Sequence, residues 1–269
     1  MPALAIFGVT GRMGQSLIRA MREAAAARQS SAGRERPGFT LSGAIASPGS
    51  LRLGQDAVAE GPPCGVLITA DSHRGLRGAA VAVDFSSGAG VAEHAQACAA
   101  AGVPVLIGAT GFDAASRALL KEAAGHIPVL IAPNTSVAVG VMTELAALAA
   151  LRLGPSYDVE IHEAHHRTKR DAPSGTALAL GEAIARARTV PLSDVAAFDR
   201  SAQKVPRVPG SIGFSSLRAG DIVGEHTVTF AAAGERLEII HRATDRMTFA
   251  RGALRAAGSR KAPEPVLTD

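Results

Sequence analysis

The first third of the chain alternates short β-branched and aliphatic runs with Ala-rich stretches whose apolar positions recur at helical spacing. The runs at 3–7, 40–46, 65–68, 81–85, 103–107 and 129–132 predict strands. The stretches at 12–27, 90–101 and 114–124 predict helices, the last stopped by Gly125 with Pro128 beyond it. Strand and helix in alternation predict βαβ units and a parallel sheet, hence a Rossmann-like, doubly wound α/β domain. Residues 29–38, rich in Ser, Gly, Arg and Pro, predict a surface loop.

After Asn134 the texture changes. A helix over 139–151 leads into a strand at 157–163, a second helix ends near Arg188, and three further strand-like runs follow at 211–217, 222–232 and 236–242. This succession predicts a second α+β domain carrying a mixed open sheet. Helical spacing over 247–257 predicts a return to the first domain. The boundaries drawn are 1–135 with 246–269, and 136–245.

Composition narrows the class. With 47% hydrophobic and 19% charged residues, 269 residues suffice for one large core or two small ones. Aromatic residues make up 3%, with no Trp, so Ala, Val, Leu and Ile must fill the interior. The net charge of +4 is spread along the chain, without a Lys/Arg stripe or interleaved aromatics, which argues against nucleic acid and suits small anionic ligands. Cys64 and Cys98 belong to no C-x-x-C or Cys/His spacing, so neither a disulfide framework nor a metal site is expected. The N-terminus has no basic stretch ahead of its apolar run and no stretch of about 18 apolar residues appears anywhere, so a cytoplasmic protein with no membrane contact is expected.

Two segments carry candidate chemistry. Directly after the first strand come Gly8, Val9, Thr10, Gly11, Arg12, Met13 and Gly14, where a dinucleotide fold needs a tight turn and unobstructed backbone N–H groups facing the pyrophosphate. Glycine there can also serve only close helix–strand packing. The end of the second strand, Ala46-Ser47, lacks the acidic residue that would hold the ribose 2′-OH of NAD, which tilts the choice to NADPH over NADH, with Arg12 and Ser47 placed to accept a 2′-phosphate. The second segment runs from Glu163 to Thr176 and crowds His165, His166, Arg167, Lys169 and Arg170 ahead of a helix. Ser174 suits the N-cap, and the backbone N–H groups of Gly175 and Thr176 would then form a carboxylate or phosphate receptor. A histidine here can exchange a proton near neutral pH. The plainer alternative is a solvated basic loop before a well-capped helix.

The order and spacing of Gly8-Val-Thr-Gly11-Arg-Met-Gly14, Asp84-Phe85-Ser86, Gly108-Ala-Thr110-Gly111-Phe112, Ala132-Pro-Asn134-Thr-Ser136, the Glu163–Thr176 segment and Ser216-Leu-Arg218 through His226 resemble the dihydrodipicolinate reductase family across nearly the whole chain. The resemblance implies a dinucleotide-binding domain at 1–135 and 246–269, a substrate-binding and oligomerisation domain at 136–245, and a homotetramer. It implies reduction of 4-hydroxy-tetrahydrodipicolinate, or its dehydrated imine, by NADPH or NADH in lysine and diaminopimelate biosynthesis. It further implies His165 as proton donor or acceptor, Lys169 as second proton donor, and His166, Gly175 and Thr176 as substrate contacts, to which the Ser174 cap is added. Gly8 to Met13, Gly108, Ala109, Thr110, Ala132, Pro133, Asn134 and Thr135 are the implied cofactor contacts. Ala46 and Ser47 stand where the family often carries an acidic residue and Arg. The competing readings are another oxidoreductase of this architecture, of the homoserine or semialdehyde dehydrogenase kind, and a non-catalytic dinucleotide-binding regulator.

Overall fold

The computed structural model describes residues 1–29, 38–200, 205–259 and 267–268. Apart from its two end residues, the expected loop at 29–38 lies outside them. Two compact units are present, Met1–Thr135 with Arg246–Asp269, and Ser136–Asp245.

The first unit runs β1 (Ala3–Phe7), α1 (Arg12–Gln29), β2 (Thr40–Ile45), β3 (Ile68–Thr69), α2 (Ser72–Leu76), β4 (Val81–Asp84), α3 (Val91–Ala101), β5 (Val105–Ile107), α4 (Ala114–Ala123) and β6 (Val129–Ile131). The second holds α5 (Val137–Leu153), β7 (Asp158–His165), α6 (Gly175–Ala187), α7 (Leu192–Val195), β8 (Ala196–Ala197), β9 (Ile212–Arg218), β10 (Gly224–Ala232) and β11 (Glu235–Ala243). The chain then returns to the first unit as α8 (Met247–Ala257) and β12 (Leu267–Thr268).

In the first unit β12-β6-β5-β4-β1-β2-β3 form one parallel sheet. Alternation along β1 sorts its side chains to two cores. Leu4 and Ile6 join Leu17, Met21, Ala250 and Leu254 of α1 and α8, whereas Ala5 and Phe7 join Val91, Ala95 and Leu120 of α3 and α4. Both faces are thus covered, as a doubly wound sheet requires. Chain order reverses at β1, flanked by β2 and β4, and such a switch point leaves an opening at the carboxyl ends of the strands.

The expected strand at 65–68 shrinks to Ile68–Thr69. The Asp56 carboxylate takes the backbone N–H groups of Val58, Cys64 and Gly65, holding this stretch as a loop. Asp71 caps α2 by accepting from Arg74 N, and this five-residue helix is too short for its period to show in the sequence. A second correction concerns hydropathy. The helical stretch Val137–Ser156 reaches a mean hydropathy of 1.6 and is, by length and composition alone, apolar enough to cross a membrane. Glu144 and Arg152 mask this in the sequence, but Val, Leu, Met and Ala outweigh them. In the structure Met142, Ala146 and Ala150 of α5 pack into the core of the second unit.

The second sheet has the order β11-β10-β7-β9-β8, antiparallel on one side of β7 and parallel on the other. Val159 and Ile161 of β7 face the core with Ile212, Phe214, Val228 and Phe230 from neighbouring strands, and Leu180 and Ile184 of α6 close that face. β7 extends to His165, two residues past the expected end. Register sets Glu163 beside Ser216 and His226, and the extension sets His165 beside Arg218.

Close approach at the start of α1 fixes the glycine turn. Gly8 has φ +73, and a Cβ on Gly14 would lie 2.5 Å from the Gly8 carbonyl oxygen and 2.6 Å from Val9 Cα. Both obstacles are backbone, so they cannot swing away. Gly14→Ala is expected to cost about 1–3 kcal/mol in urea unfolding, while Gly49→Ala, with nothing within 4 Å of its Cβ position, leaves the midpoint within error. Equal midpoints for Gly14→Ala and the parent would show that α1 is not pressed against the turn.

Candidate active site

In the second unit the apolar face of the sheet gives way to a polar cluster at the end of β7. Glu163 has no solvent exposure. Its Oε2 accepts from His165 Nδ1 at 2.5 Å and Arg218 Nη1 at 2.8 Å, and its Oε1 accepts from Arg218 Nη2 at 2.7 Å and the Ser174 backbone N–H at 3.2 Å. Burial pushes the Glu163 carboxyl up, but the hydrogen bonds from His165, Arg218 and Ser216 outweigh it and hold the group well below the ordinary carboxylate range.

Ser174 caps α6, its Oγ accepting from Ala177 N at 3.2 Å. The same oxygen lies 3.1 Å from Nε2 of the buried His226. Burial, then the charge of His165, push His226 down to about 3, so it is neutral at physiological pH. The ring edges of His165 and His226 meet at a centroid separation of 5.3 Å. Lys169 Nζ donates to Asp171 Oδ2 at 2.8 Å, and the Asp171 carbonyl accepts from Arg218 Nη2 at 2.6 Å. Arg218 therefore joins the His165 and Lys169 sides of the cluster. His166 Nδ1 lies 2.8 Å from Thr168 Oγ1, and its carbonyl accepts from the Lys169 N–H at 3.1 Å.

In the first unit, register pairs Phe7 with Ile45 and Asp84, Asp84 with Ile107, and Ile107 with Ile131. The residues just beyond those positions, Gly8, Ala46, Phe85, Gly108 and Ala132, thus line one edge of the sheet at strand spacing. Their turns are tied together: Val9 N donates to Ile45 O, Phe85 N to Phe7 O, Gly108 N to Asp84 O and Ala132 N to Ile107 O. Asp84, also without exposure, accepts from Ser86 N at 2.7 Å and pairs with His94 Nδ1 at 2.8 Å, and the His94 ring stacks on Phe7. Val9 and Ala109 are buried, and Met13 packs against the core, so these three offer backbone more than side chain to a ligand. Thr135 commits its hydroxyl to the Phe249 carbonyl at 2.7 Å. Thr10, Thr110 and Asn134 are half-buried, and Pro133 is exposed. Arg12 and Ser47 are exposed, and no carboxylate follows β2. The glycine-containing turn, the start of an 18-residue helix and this edge fit a dinucleotide.

Residues 3–135 match the family description "Dihydrodipicolinate reductase, N-terminus", and residues 138–268 match "Dihydrodipicolinate reductase, C-terminus". The chain belongs to the dihydrodipicolinate reductase family. A relative named 4-hydroxy-tetrahydrodipicolinate reductase from Anaeromyxobacter dehalogenans (strain 2CP-C) is 47% identical over 259 residues, 96% of this chain and 92% of its own. One of the same name from Thiobacillus denitrificans is 48% identical over 267 residues, covering 99% and 96%. The dipicolinate-bound dihydrodipicolinate reductase from Paenisporosarcina sp. TG-14 shares the fold, with a TM-score of 0.64, 22% identity and 96% coverage of each chain.

Sequence reasoning singled out His165, Lys169 and the α6 start of this family member but assigned no role to Glu163, Arg218, His226, Asp84 or His94. For Glu163 a signal was present: Ile161, Glu163 and His165 alternate on one strand face, so a carboxylate occupies an inward position directly before a histidine. Arg218 and His226 are brought in by pairing across strands, which sequence spacing does not reveal.

His226 binds its proton more weakly folded than its ordinary value of 6.5 allows. Between pH 6.5 and about 3 the unfolded chain therefore holds the extra proton, and stability falls as pH falls across that window. In His226→Gln, whose amide oxygen can still accept from Ser174, the loss between pH 6.5 and 5 should shrink by on the order of 1 kcal/mol per pH unit. Urea midpoints at three pH values measure it; parallel profiles for parent and variant would mean that His226 is not held neutral.

Proposed function

We propose that this chain catalyses NAD(P)H-dependent reduction of 4-hydroxy-tetrahydrodipicolinate, or the dehydrated imine derived from it, to tetrahydrodipicolinate in lysine and diaminopimelate biosynthesis. The observation that carries the reading is kinship of 47–48% over almost the full length with reductases of that name. The site chemistry agrees with it. NAD(P)H, when bound, supplies a hydride to carbon. Hydride arriving at a ring carbon has to be balanced by one proton, with water leaving where the 4-hydroxy compound is the starting form, and His165 and Lys169 are the side chains assigned to provide that proton. A dicarboxylate asks for cations and oriented N–H donors; Lys169, His166 and the α6 start at Ser174, Gly175 and Thr176 answer that need.

On the cofactor side, Gly8 to Met13, Gly108 to Thr110 and Ala132 to Thr135 are the assigned contacts. NADPH is assigned as the preferred form over NADH, because Ala46 cannot repel a 2′-phosphate and both Arg12, which has no ion pair among the described residues, and Ser47 can meet one. The first unit takes the cofactor and the second the substrate. We further assign a cytoplasmic homotetramer. Free Cys64 and Cys98 suit a reducing compartment. The outer face of the second sheet, with Leu217 and Ile240 44% and 46% exposed, suits subunit contact.

Two outcomes test the reading. With substrate generated in place from pyruvate and aspartate semialdehyde by a synthase, NADPH oxidation followed at the nicotinamide absorbance should depend on the synthase and exceed NADH oxidation. Synthase-dependent turnover favouring NADH would keep the function but overturn the NADPH preference read from Ala46, Arg12 and Ser47; folded protein that binds NADPH but turns nothing over would overturn the substrate. Lys169→Ala should lose turnover by at least about 10²-fold while its NADPH Kd stays within about twofold; a weakened Kd with normal turnover at saturating NADPH would contradict the role of Lys169.

A further inference from the structure

The geometry points to Glu163 as a positioning residue that fixes which nitrogen of His165 carries the exchangeable proton, with Arg218 holding it in place. This rests on the reading of His165 as a proton-handling group. Glu163 touches no ligand in this role, because its side chain has no exposure.

An ionised carboxylate only accepts hydrogen bonds. Glu163 accepts from His165 Nδ1 and Arg218 Nη1 at Oε2, and from Arg218 Nη2 and Ser174 N at Oε1. Nδ1 of His165 must therefore be the protonated nitrogen, and Nε2 is the one left to exchange a proton. Nε2 has no hydrogen-bond partner among the described residues. It lies beside Gly224, where a Cβ would come within 3.1 Å, so the neighbouring position on β10 leaves it clear. With its lone pairs occupied by donors, Glu163 is not itself available as a base.

The same carboxylate reaches beyond His165. Through Ser174 N it fixes the start of α6, and through Arg218, which also binds the Asp171 carbonyl, it steadies the residue whose side chain takes Lys169 Nζ. One buried ion pair thus orients the proposed proton donors and the anion receptor together. Such a pair contributes little net stability, because desolvation offsets its attraction. What it adds is direction: the tautomer and the ring plane of His165.

The test combines NMR and kinetics on the full chain. In the 15N-histidine spectrum of the parent, the signal that disappears in His165→Asn should report a protonated Nδ1 and an unprotonated Nε2 when His165 is neutral. In Glu163→Gln, where the amide nitrogen can turn toward Nδ1 while its oxygen faces Arg218, the Nε2-protonated form should appear. The kcat of this variant should fall on the order of 10²-fold with the NADPH KM within about twofold. Glu163→Asp keeps a carboxylate and should restore the parent tautomer and part of the turnover. A parent His165 protonated at Nε2 would overturn the proposal, as would parental kcat in Glu163→Gln. If Glu163→Gln fails to fold, the parent and Glu163→Asp tautomers decide. An inactive parent enzyme with the expected tautomer would sink the substrate assignment and leave the role of Glu163 standing.

Discussion

A carboxylate removed from water has to be answered by donors where it lies, and the second unit is organised around that requirement at Glu163. Apolar residues occupy the inward positions of β7 up to Ile161; the next inward position is an acid and the one after it a histidine. Arg218 reaches Glu163 only because β9 runs parallel to β7 in a register that sets it beside His165. Ser174 contributes its backbone N–H because α6 begins there. His226, opposite Glu163 on β10, stays neutral and takes the other polar atom of the cap. Three strands and one helix therefore meet around one buried charge.

The first unit solves a different problem. A parallel sheet with both faces covered has only its edges to offer a ligand, and the order reversal at β1 opens one of them. There the chain places residues without obstructive side chains, Gly8 and Gly108, and buries side chains that would intrude, Val9 and Ala109. The Asp84–His94 pair, stacked on Phe7, pins the adjoining turn from below. In the proposed function this edge meets the dinucleotide mainly through backbone, which leaves discrimination at the ribose to the few exposed side chains after β2 and at the start of α1.

Much of this was legible in the sequence, because the relevant signals are local. Period-two and helical alternation locate β1, β4, β10, α3 and α8 to within a residue or two, and Ser174 ahead of Gly-Thr announces the cap of α6. The short elements α2, α7 and β8 escape because they span less than a full pattern, and the strand expected at 65–68 gives way to the Asp56 loop. The helix α5 is located two residues short at each end, and only its mean hydropathy is underrated, because two charges interrupt its apolar run. In the site, His165 and Lys169 stand out by residue type and spacing. Arg218 and His226 do not, since only the register of β9 and β10 against β7 gives them meaning.

In the proposed function the end of β7 and the start of α6 form a receptor for a small planar dicarboxylate. Calorimetric titration of dipicolinate into the NADPH-loaded protein at low and high salt tests it most directly. Saturable binding is expected, weakened by salt because cationic side chains contribute, and weakened further in Lys169→Ala. Folded, NADPH-loaded protein that binds no dipicolinate, or binds it equally well without Lys169, would contradict it.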